Sequence, residues 1–220
     1  MIINIAIDGP AGAGKSKIAK KIAKELEFIY VDTGAMYRAM AYYMIQQGIA
    51  ADETAKIEDA CEHADITISY VNGEQQVLLN GENVTPYIRT EEVGNMASAT
   101  SVNGKVRAKL VALQQKLASE KSVVMDGRDI GTTVLPNAQL KIYLTASSAT
   151  RAQRRYDELT AKGQECDLKK IEEDIIDRDF RDMNRDISPL KQAEDSIYLD
   201  SSELGIDEVV SHIMGLYQAL

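Results

Sequence analysis

The 220-residue sequence is poor in the side chains that bind zinc or build disulfide frameworks. It contains two histidines and two cysteines, Cys61 and Cys166, which lie far apart and in no metal-ligand spacing. A zinc site therefore has almost no ligands available, and we expect both cysteines to be reduced thiols in a cytosolic protein.

Basic residues and long apolar runs are scarce as well. The chain has 25 lysines and arginines against 34 aspartates and glutamates, a formal net charge of −9 and a pI of about 4.9. We therefore expect no nonspecific binding of nucleic acid, and we expect functional basic residues to be gathered locally. No segment approaches roughly 18 uninterrupted apolar residues and no cleavable signal pattern opens the chain, so we expect no membrane association and a cytoplasmic location.

What the sequence does contain is a complete phosphate-binding loop pattern. The residues that match G-x-x-x-x-G-K-[ST] are Gly9, Pro10, Ala11, Gly12, Ala13, Gly14, Lys15 and Ser16. A predicted strand (2–7) precedes them and a predicted helix (17–26) follows, which is the context that this motif requires. Backbone N–H groups of such a loop point at phosphate oxygens, the lysine reaches the β- and γ-phosphates, and the serine hydroxyl binds Mg²⁺. The alternative is a chance glycine-rich turn, but the complete pattern in this context predicts binding of a nucleoside triphosphate.

Further strands and helices alternate along the chain. The sequence predicts strands at 28–31, 122–126, 140–144 and 196–200, and helices at 33–47, 52–63, 147–162, 168–185 and 206–218. Thr33 is a candidate cap for the first of these helices, and Asp52 opens the next. A helical stretch before residue 122, broken at Asn103-Gly104, carries an apolar face of Val106, Leu110, Leu113 and Leu117. This alternation predicts an α/β fold with a mostly parallel sheet covered on both faces, in one domain or one domain with an insertion.

Residues 65–88 break the alternation. Two β-rich runs flank Asn72-Gly73, and Asn80-Gly81 follows the second run. Asn-Gly between such runs is a strong hairpin signal, so we expect a small antiparallel meander inserted into the α/β chain.

Charged residues follow the strand that ends at Asp126. An apolar strand ending in aspartate is typical of the Mg²⁺-binding partner of a phosphate loop, although such an aspartate can also cap a turn. Arg128 and Asp129 come next, and their alternative interpretation is a local ion pair. Ligands bind beyond the carboxyl ends of parallel strands, which favours the functional interpretation of all three residues.

The predicted helix 168–185 changes character along one face. Leu168, Ile171 and Ile175 form an apolar stripe, and the same spacing continues through charged residues, namely Arg178, Asp182 and Arg185, with Arg181 alongside. Because buried charges need partners, this stripe predicts an anionic, hydroxyl-rich ligand.

Arginines outnumber what one triphosphate needs. Arg151, Arg154 and Arg155 share another helix face, where a mobile phosphate clamp and a solvated surface are equally good interpretations. Arginine binds phosphate oxygens bidentately, so the surplus favours a phosphorylated acceptor and a nucleoside-monophosphate kinase. A regulatory GTPase would need an Asn-Lys-x-Asp guanine reader, which the sequence lacks. A kinase for an unphosphorylated acceptor, such as shikimate or a nucleoside, is the remaining enzyme alternative, although the surplus of arginines argues against a nucleoside.

Several segments resemble the bacterial cytidylate kinase family over essentially the whole chain. They are IDGPAGAGKS, VDTGAMYRAMA, the 65–88 meander, NGKVRAKL, MDGRDIGTTVLPNAQLKIYLTAS and RDFRDMNRDISPL. The resemblance implies transfer of the γ-phosphoryl group of ATP to CMP or dCMP with Mg²⁺. It also implies a single kinase domain containing an NMP-binding region at about 33–105 and a helical lid at about 150–185, and we expect a monomer.

The resemblance also implies roles for individual residues. Ser98, Arg107 and Asp129 would read cytosine, Arg178 and Asp182 would hold the ribose, and Arg38, Arg128 and Arg185 would bind the CMP phosphate, with Thr33 near the acceptor. Lys15, Arg128 and Arg185 would act in catalysis, Ser16 and Asp126 would hold the metal, and Arg151, Arg154 and Arg155 would close over ATP. Lys17 also belongs to the ATP-binding segment and departs from the small hydroxyl residue usual there.

Overall fold

A computed structural model describes residues 2–220 of the chain. The first of its two compact units consists of the chain up to Tyr30 together with Lys121–Leu220, and the second is Val31–Glu120. The elements of the first unit are β1 (Asn4–Asp8), α1 (Lys15–Glu25), the start of β2 (Ile29–Asp32), β6 (Val123–Gly127), a π-helical turn (Ile130–Val134), β7 (Leu140–Thr145), α6 (Ser148–Ala161), α7 (Leu168–Asn184), β8 (Ile197–Asp200) and α8 (Ile206–Gln218). Those of the second unit are α2 (Thr33–Gln46), α3 (Thr54–His63), β3 (Ile66–Val71), β4 (Glu74–Leu79), β5 (Glu82–Asn83), α4 (Glu91–Thr100) and α5 (Gly104–Glu120).

A five-stranded sheet with the order β2-β6-β1-β7-β8 organises the first unit. Strand β1 pairs in parallel with β6 and β7, and β7 pairs in parallel with β8. Strand β6 is buried along its whole length, as expected for a parallel strand covered on both faces. Apolar residues of α1 and α8 pack with the inner strands in one core, for example Ile18, Ile22 and Ile213. The predicted parallel sheet is therefore confirmed.

An antiparallel sheet of β3, β4 and β5 lies in the second unit. Its first hairpin pairs Ile66 with Leu79 and Val71 with Glu74. Asn72 and Gly73 both have positive φ, 53° and 80°, as a type I′ turn requires. The predicted meander is confirmed, and the pairing ends at Asn83.

Some predicted details at helix ends were wrong. Asp32, not Thr33, caps α2, because its carboxylate accepts a hydrogen bond of 2.9 Å from the amide of Ala35. Helix α3 begins at Thr54, with Glu53 rather than Asp52 at its cap position.

Two predicted helix faces also differ from the observed ones. On α5 the buried face continues from Leu110 through Gln114 and Ala118, and Leu113 and Leu117 are only half-buried. On α7 the predicted stripe is half-buried from Ile171 and buried at Asp182, but Leu168 and Arg181 are exposed, and Asp179 is buried although it was not predicted to be.

Both cysteines are free thiols, as the sequence predicted, and Cys61 is buried. Within residues 2–220, no helix has both the length and the apolar character needed to cross a bilayer.

Candidate active site

The glycine loop leaves β1 against the backbone of β7. At Gly9, which has φ 149°, a Cβ atom would lie 1.9 Å from the carbonyl oxygen of Leu144, so only glycine fits. Gly12 and Gly14 also have positive φ, 77° and 88°. The carbonyl of Gly14 accepts from the amides of Lys17 and Ile18, at 3.1 and 3.2 Å, and so starts helix α1. The loop thus presents the N-terminus of a helix, as an anion site requires.

Lys15 is buried behind this loop. Its ammonium donates to the carbonyl oxygen of Pro10 at 2.7 Å. Burial, followed by the positive charge of Arg128, lowers the pKa of Lys15 to about 7. A second positive charge, Arg178, acts in the same direction. An anion in the loop would relieve this cost of charging the lysine, which favours phosphate binding.

Asp126 lies at the end of β6 with both carboxylate oxygens in hydrogen bonds. The hydroxyl of Ser16 donates to Oδ2 at 2.8 Å, and the hydroxyl of Tyr30 donates to Oδ1 at 2.8 Å. The two predicted metal ligands therefore meet, and hydroxyl and carboxylate oxygens are ligands that Mg²⁺ prefers. Tyr30 was missed, because a tyrosine in a buried strand carries no sequence signal for this contact.

Asp8, the last residue of β1, is a buried carboxylate that the sequence interpretation also missed. Its oxygens accept hydrogen bonds from the amides of Ile130 at 2.8 Å and Gly131 at 2.7 Å. Burial raises the pKa of Asp8 to about 6 in spite of these bonds. The only sequence signal was an acidic residue at the end of an apolar strand.

Arg128 and Asp182 form a closely bonded pair between the end of β6 and α7. The guanidinium Nε of Arg128 donates to Oδ2 of Asp182 at 2.8 Å. Burial opposes ionisation of both groups, but their mutual attraction outweighs it, so the pKa of Arg128 is raised and that of Asp182 is lowered. Arg178 and Arg185 also lower the pKa of Asp182. The charged continuation of the α7 stripe is therefore placed beside the end of β6.

Asp129 pairs with Arg185 nearby. The Nη2 atom of Arg185 lies 3.6 Å from Oδ1 of Asp129, and its Nε donates to the carbonyl oxygen of Ser188 at 2.7 Å. Asp129 and the Arg185 side chain are both buried. Two arginine–carboxylate pairs, Arg128 with Asp182 and Arg185 with Asp129, thus lie within the first unit, and such groups suit a ligand with both anionic and hydroxyl groups.

The three arginines of α6 have three different environments. Arg151 is buried, and it donates to the carbonyl oxygen of Ala11 at 3.0 Å and pairs with Asp179 at 2.6 Å. Arg154 donates to the carbonyl oxygen of Ser201 at 2.6 Å. Arg155 is exposed and pairs with Glu158 at 3.2 Å. Of these three arginines, Arg151 is hydrogen-bonded to the glycine loop, and Lys17 lies exposed on α1.

The remaining predicted site residues belong to the second unit. Arg38 on α2 donates to the carbonyl oxygens of Ile88 at 3.2 Å and Thr90 at 3.4 Å. Arg107 on α5 is buried, lies 5.6 Å from the ring centre of Tyr37 and donates to the carbonyl oxygen of Ser101 at 3.2 Å. Thr33 is buried, and Ser98 is half-buried on α4.

Comparison with known proteins identifies the family. A family model described as cytidylate kinase matches residues 5–219. The chain belongs to the cytidylate kinase family. A cytidylate kinase of Caldicellulosiruptor saccharolyticus is 51% identical over 215 residues, covering 98% of this chain and 95% of that protein. A cytidylate kinase of Exiguobacterium sibiricum is 48% identical over 214 residues, covering 97% of this chain and 96% of that protein.

Solved structures outside the cytidylate kinase family share its fold. Shikimate kinase from Acinetobacter baumannii has a TM-score of 0.51 at 16% identity, covering 100% of this chain and 94% of that chain. Shikimate kinase from Bacteroides thetaiotaomicron has a TM-score of 0.51 at 13% identity, with 99% of each chain covered. At such identities the likeness concerns the fold alone, and it confirms the predicted P-loop kinase architecture.

Proposed function

We propose that this member of the cytidylate kinase family transfers the γ-phosphoryl group of ATP to CMP and dCMP, giving CDP and dCDP. The observation that carries the proposal is the group of cations near the glycine loop: the buried Lys15, the half-buried Arg128 and Arg178, and Arg185 just past the end of α7. One triphosphate does not need four cations, whereas a triphosphate and an acceptor phosphate do. The naming of relatives about half identical over nearly the whole chain as cytidylate kinases supports the same acceptor.

On the donor side, Gly9–Ser16 would hold the phosphates of ATP. Its amides and the start of α1 attract the anion, and Lys15 would neutralise charge on the transferring group. We assign Lys17 and the α6 arginines, Arg151, Arg154 and Arg155, to the neighbourhood of ATP.

Ser16 and Asp126 are the residues that would hold Mg²⁺. Their oxygens are already adjacent, at 2.8 Å, and both types suit this hard cation. When bound, Mg²⁺ would supply charge neutralisation for the phosphates of ATP.

On the acceptor side, each assigned residue type matches one part of CMP. Arg38, Arg128 and Arg185 would bind the phosphate, and Arg178 with Asp182 would bind the ribose hydroxyls. Asp129 would accept a hydrogen bond from the cytosine amino group, Arg107 would donate to ring acceptors and Ser98 can do either. Thr33 would lie near the acceptor. Transfer itself is then in-line displacement governed by positioning and charge.

A coupled assay of ADP release tests the proposal. CMP, dCMP, UMP, AMP, GMP and shikimate would be compared at equal concentrations with ATP and Mg²⁺. We expect CMP and dCMP to be used far better than the other nucleotides, and no turnover with shikimate. Faster turnover of shikimate than of CMP would overturn the proposal, because shikimate carries no phosphate.

A further inference from the structure

The side chain of Asp8, at the end of β1, is hydrogen-bonded to the segment that follows β6. Its two carboxylate oxygens accept from two successive amides, those of Ile130 and Gly131, at 2.8 and 2.7 Å. These are the first two amides of the π-helical turn, and Arg128 and Asp129 immediately precede them. Strand pairing sets Asp8 opposite Gly127, so its side chain reaches just past the end of β6.

Asp8 performs a task that ordinarily falls to the residue at the start of a helical turn. The first amides of a helix lack partners within the helix, and an aspartate at the cap position usually accepts from them. Asp129 occupies that position, yet its side chain makes no capping hydrogen bond. Its carboxylate lies instead toward Arg185, at 3.6 Å. Because Asp8 accepts from these amides, the carboxylate of Asp129 is not needed as their cap.

Close packing around Gly131 supports a fixed geometry. A Cβ atom at this glycine would lie 3.2 Å from Cδ of Lys141 and 3.4 Å from Oδ2 of Asp8. Both side chains are buried, and the Lys141 ammonium is itself bonded to the carbonyl oxygen of Pro136 at 2.5 Å. The turn is therefore held between β1 and β7.

A buried carboxylate in this place is costly. Desolvation opposes its charge, and the nearby negative charge of Asp129 adds to that effect, against the positive charge of Lys15. A buried carboxylate lowers the stability of the fold, so its presence here indicates a task other than stabilisation, such as fixing the position of its neighbours.

We propose that Asp8 is a positioning residue for acceptor selection, acting through the amides of Ile130 and Gly131 to fix the carboxylate of Asp129. The inference rests on the proposed role of Asp129 in reading cytosine. It concerns the discrimination between CMP and UMP rather than the binding of ATP.

The test compares Asp8→Asn with Asp129→Ala and with a control, Asp207→Asn. The asparagine keeps one oxygen acceptor but turns an NH₂ group toward the second amide, so one hydrogen bond is lost with little change of volume. Asp207 lies at the start of α8, is exposed and pairs with Lys21. Asp207→Asn also neutralises one carboxylate, but at a position outside the candidate site.

We expect Asp8→Asn to lower the ratio of kcat/KM for CMP to that for UMP about tenfold or more, with the KM for ATP within about twofold of wild type. Hydrogen exchange at residues 130 and 131 should accelerate, and Asp207→Asn should change neither quantity. If Asp8→Asn does not fold, Gly131→Ala tests the same contact without altering charge, and it should move the ratio in the same direction.

Three outcomes would overturn the inference, and they differ from one another. An unchanged ratio in Asp8→Asn beside a collapsed ratio in Asp129→Ala would make Asp8 a structural residue and leave the proposed function intact. An unchanged ratio in Asp129→Ala would remove cytosine reading from Asp129, and the role of Asp8 with it. Equal increases in KM for ATP and CMP in Asp8→Asn would place its effect on the glycine loop, which begins at Gly9.

Discussion

At the scale of single residues, the lysine of the glycine loop is both buried and able to carry a charge, and these two properties oppose each other. Lys15 is buried near Arg128 and Arg178, which lowers its pKa to about 7 in the free protein. Such a lysine binds an anion more strongly than a solvated one, because the anion replaces the lost hydration. We therefore expect an anion in the glycine loop to favour the charged form of Lys15.

We expect Lys15→Ala to lower kcat by about 10²–10³-fold, the loss typical of a preorganised donor that acts on charge in the transition state. Steady-state rates at saturating ATP and CMP measure it. The exposed neighbour Lys17 provides a matched control, and Lys17→Ala should affect the KM for ATP at most. Turnover of Lys15→Ala within threefold of wild type would remove Lys15 from the reaction.

Base choice is expected to depend on a single carboxylate. Cytosine presents an amino donor where uracil presents a carbonyl oxygen, so Asp129 facing UMP would leave two acceptors without a proton. Such a buried mismatch costs about 1–3 kcal/mol per unsatisfied group, and one pair gives roughly 10- to 200-fold discrimination.

We therefore expect kcat/KM for CMP to exceed that for UMP by at least about 100-fold in the wild type. Asp129→Ala should shrink this ratio, chiefly by damaging the use of CMP. Titrations of both nucleotides on wild type and variant measure it, and a ratio that survives the substitution would assign base reading elsewhere.

At the scale of elements, the sequence predicted most strands and helices but not every cap and face. Regular spacing and Asn-Gly turns are local signals, so α1, α6, α8 and the β3-β4 hairpin were predicted correctly. Asp32 and Thr33 are adjacent, equally able to cap α2, and only the orientation of the Asp32 side chain decides between them. The π-helical turn at 130–134 was missed, because its geometry depends on Asp8, far away in the sequence.

The difference between local signals and long-range contacts also explains which site residues were predicted and which were missed. Lys15, Ser16 and Asp126 belong to motifs in which function follows from neighbours in sequence. Tyr30 and Asp8 act through contacts across 96 and 122 positions, which no local pattern encodes. Leu168 was predicted to be buried but is exposed, and the burial of Asp179 was missed because it depends on the contact with Arg151 on α6.

Helices α6 and α7 are the elements that we expect to move. Both belong to the predicted lid at 150–185, and a kinase must exclude water when both substrates are bound, or ATP is hydrolysed. Hydrogen exchange in this region should slow clearly with CMP plus a non-hydrolysable ATP analogue, and little with either alone. Helix α8, which packs in the sheet core, should show no such difference. Equal protection from hydrogen exchange in all states would mean that α6 and α7 do not move when the substrates bind.

At the scale of the whole molecule, positive charges are concentrated in one place although the net charge is negative. The chain carries a formal net charge of −9, yet the buried Lys15 and the half-buried Arg128 and Arg178 lie near the end of β6. We therefore expect anionic substrates to be attracted locally by a protein that is acidic as a whole. The same arrangement places carboxylates such as Asp8 and Asp182 among the cations, and these carboxylates link the stability of the fold to pH.

The two carboxylates act on stability with opposite signs. Asp182 has a lowered pKa, so its contribution is present above the ordinary pKa of an aspartate and is lost as the pH falls through its folded value. Asp8 has its pKa raised from 3.8 to about 6, so its contribution is present below pH 3.8 and is lost as the pH rises through about 6. Ionised Asp8 therefore destabilises the folded protein at neutral pH relative to its protonated form.

Asp8→Asn removes the pH dependence of stability that Asp8 causes, and measurements of the free energy of unfolding should show this change. The single lost hydrogen bond lowers the stability of the variant by a similar amount at every pH, whereas the ionisation of Asp8 affects the wild type alone. The stability of Asp8→Asn relative to wild type should therefore increase between pH 4 and pH 7, by up to about 3 kcal/mol, since each unit of pKa shift corresponds to about 1.4 kcal/mol. Urea unfolding of both proteins at half-unit pH steps measures the difference. A difference that stays constant across this range would mean that the buried carboxylate keeps an ordinary pKa and that its two amide bonds offset its burial.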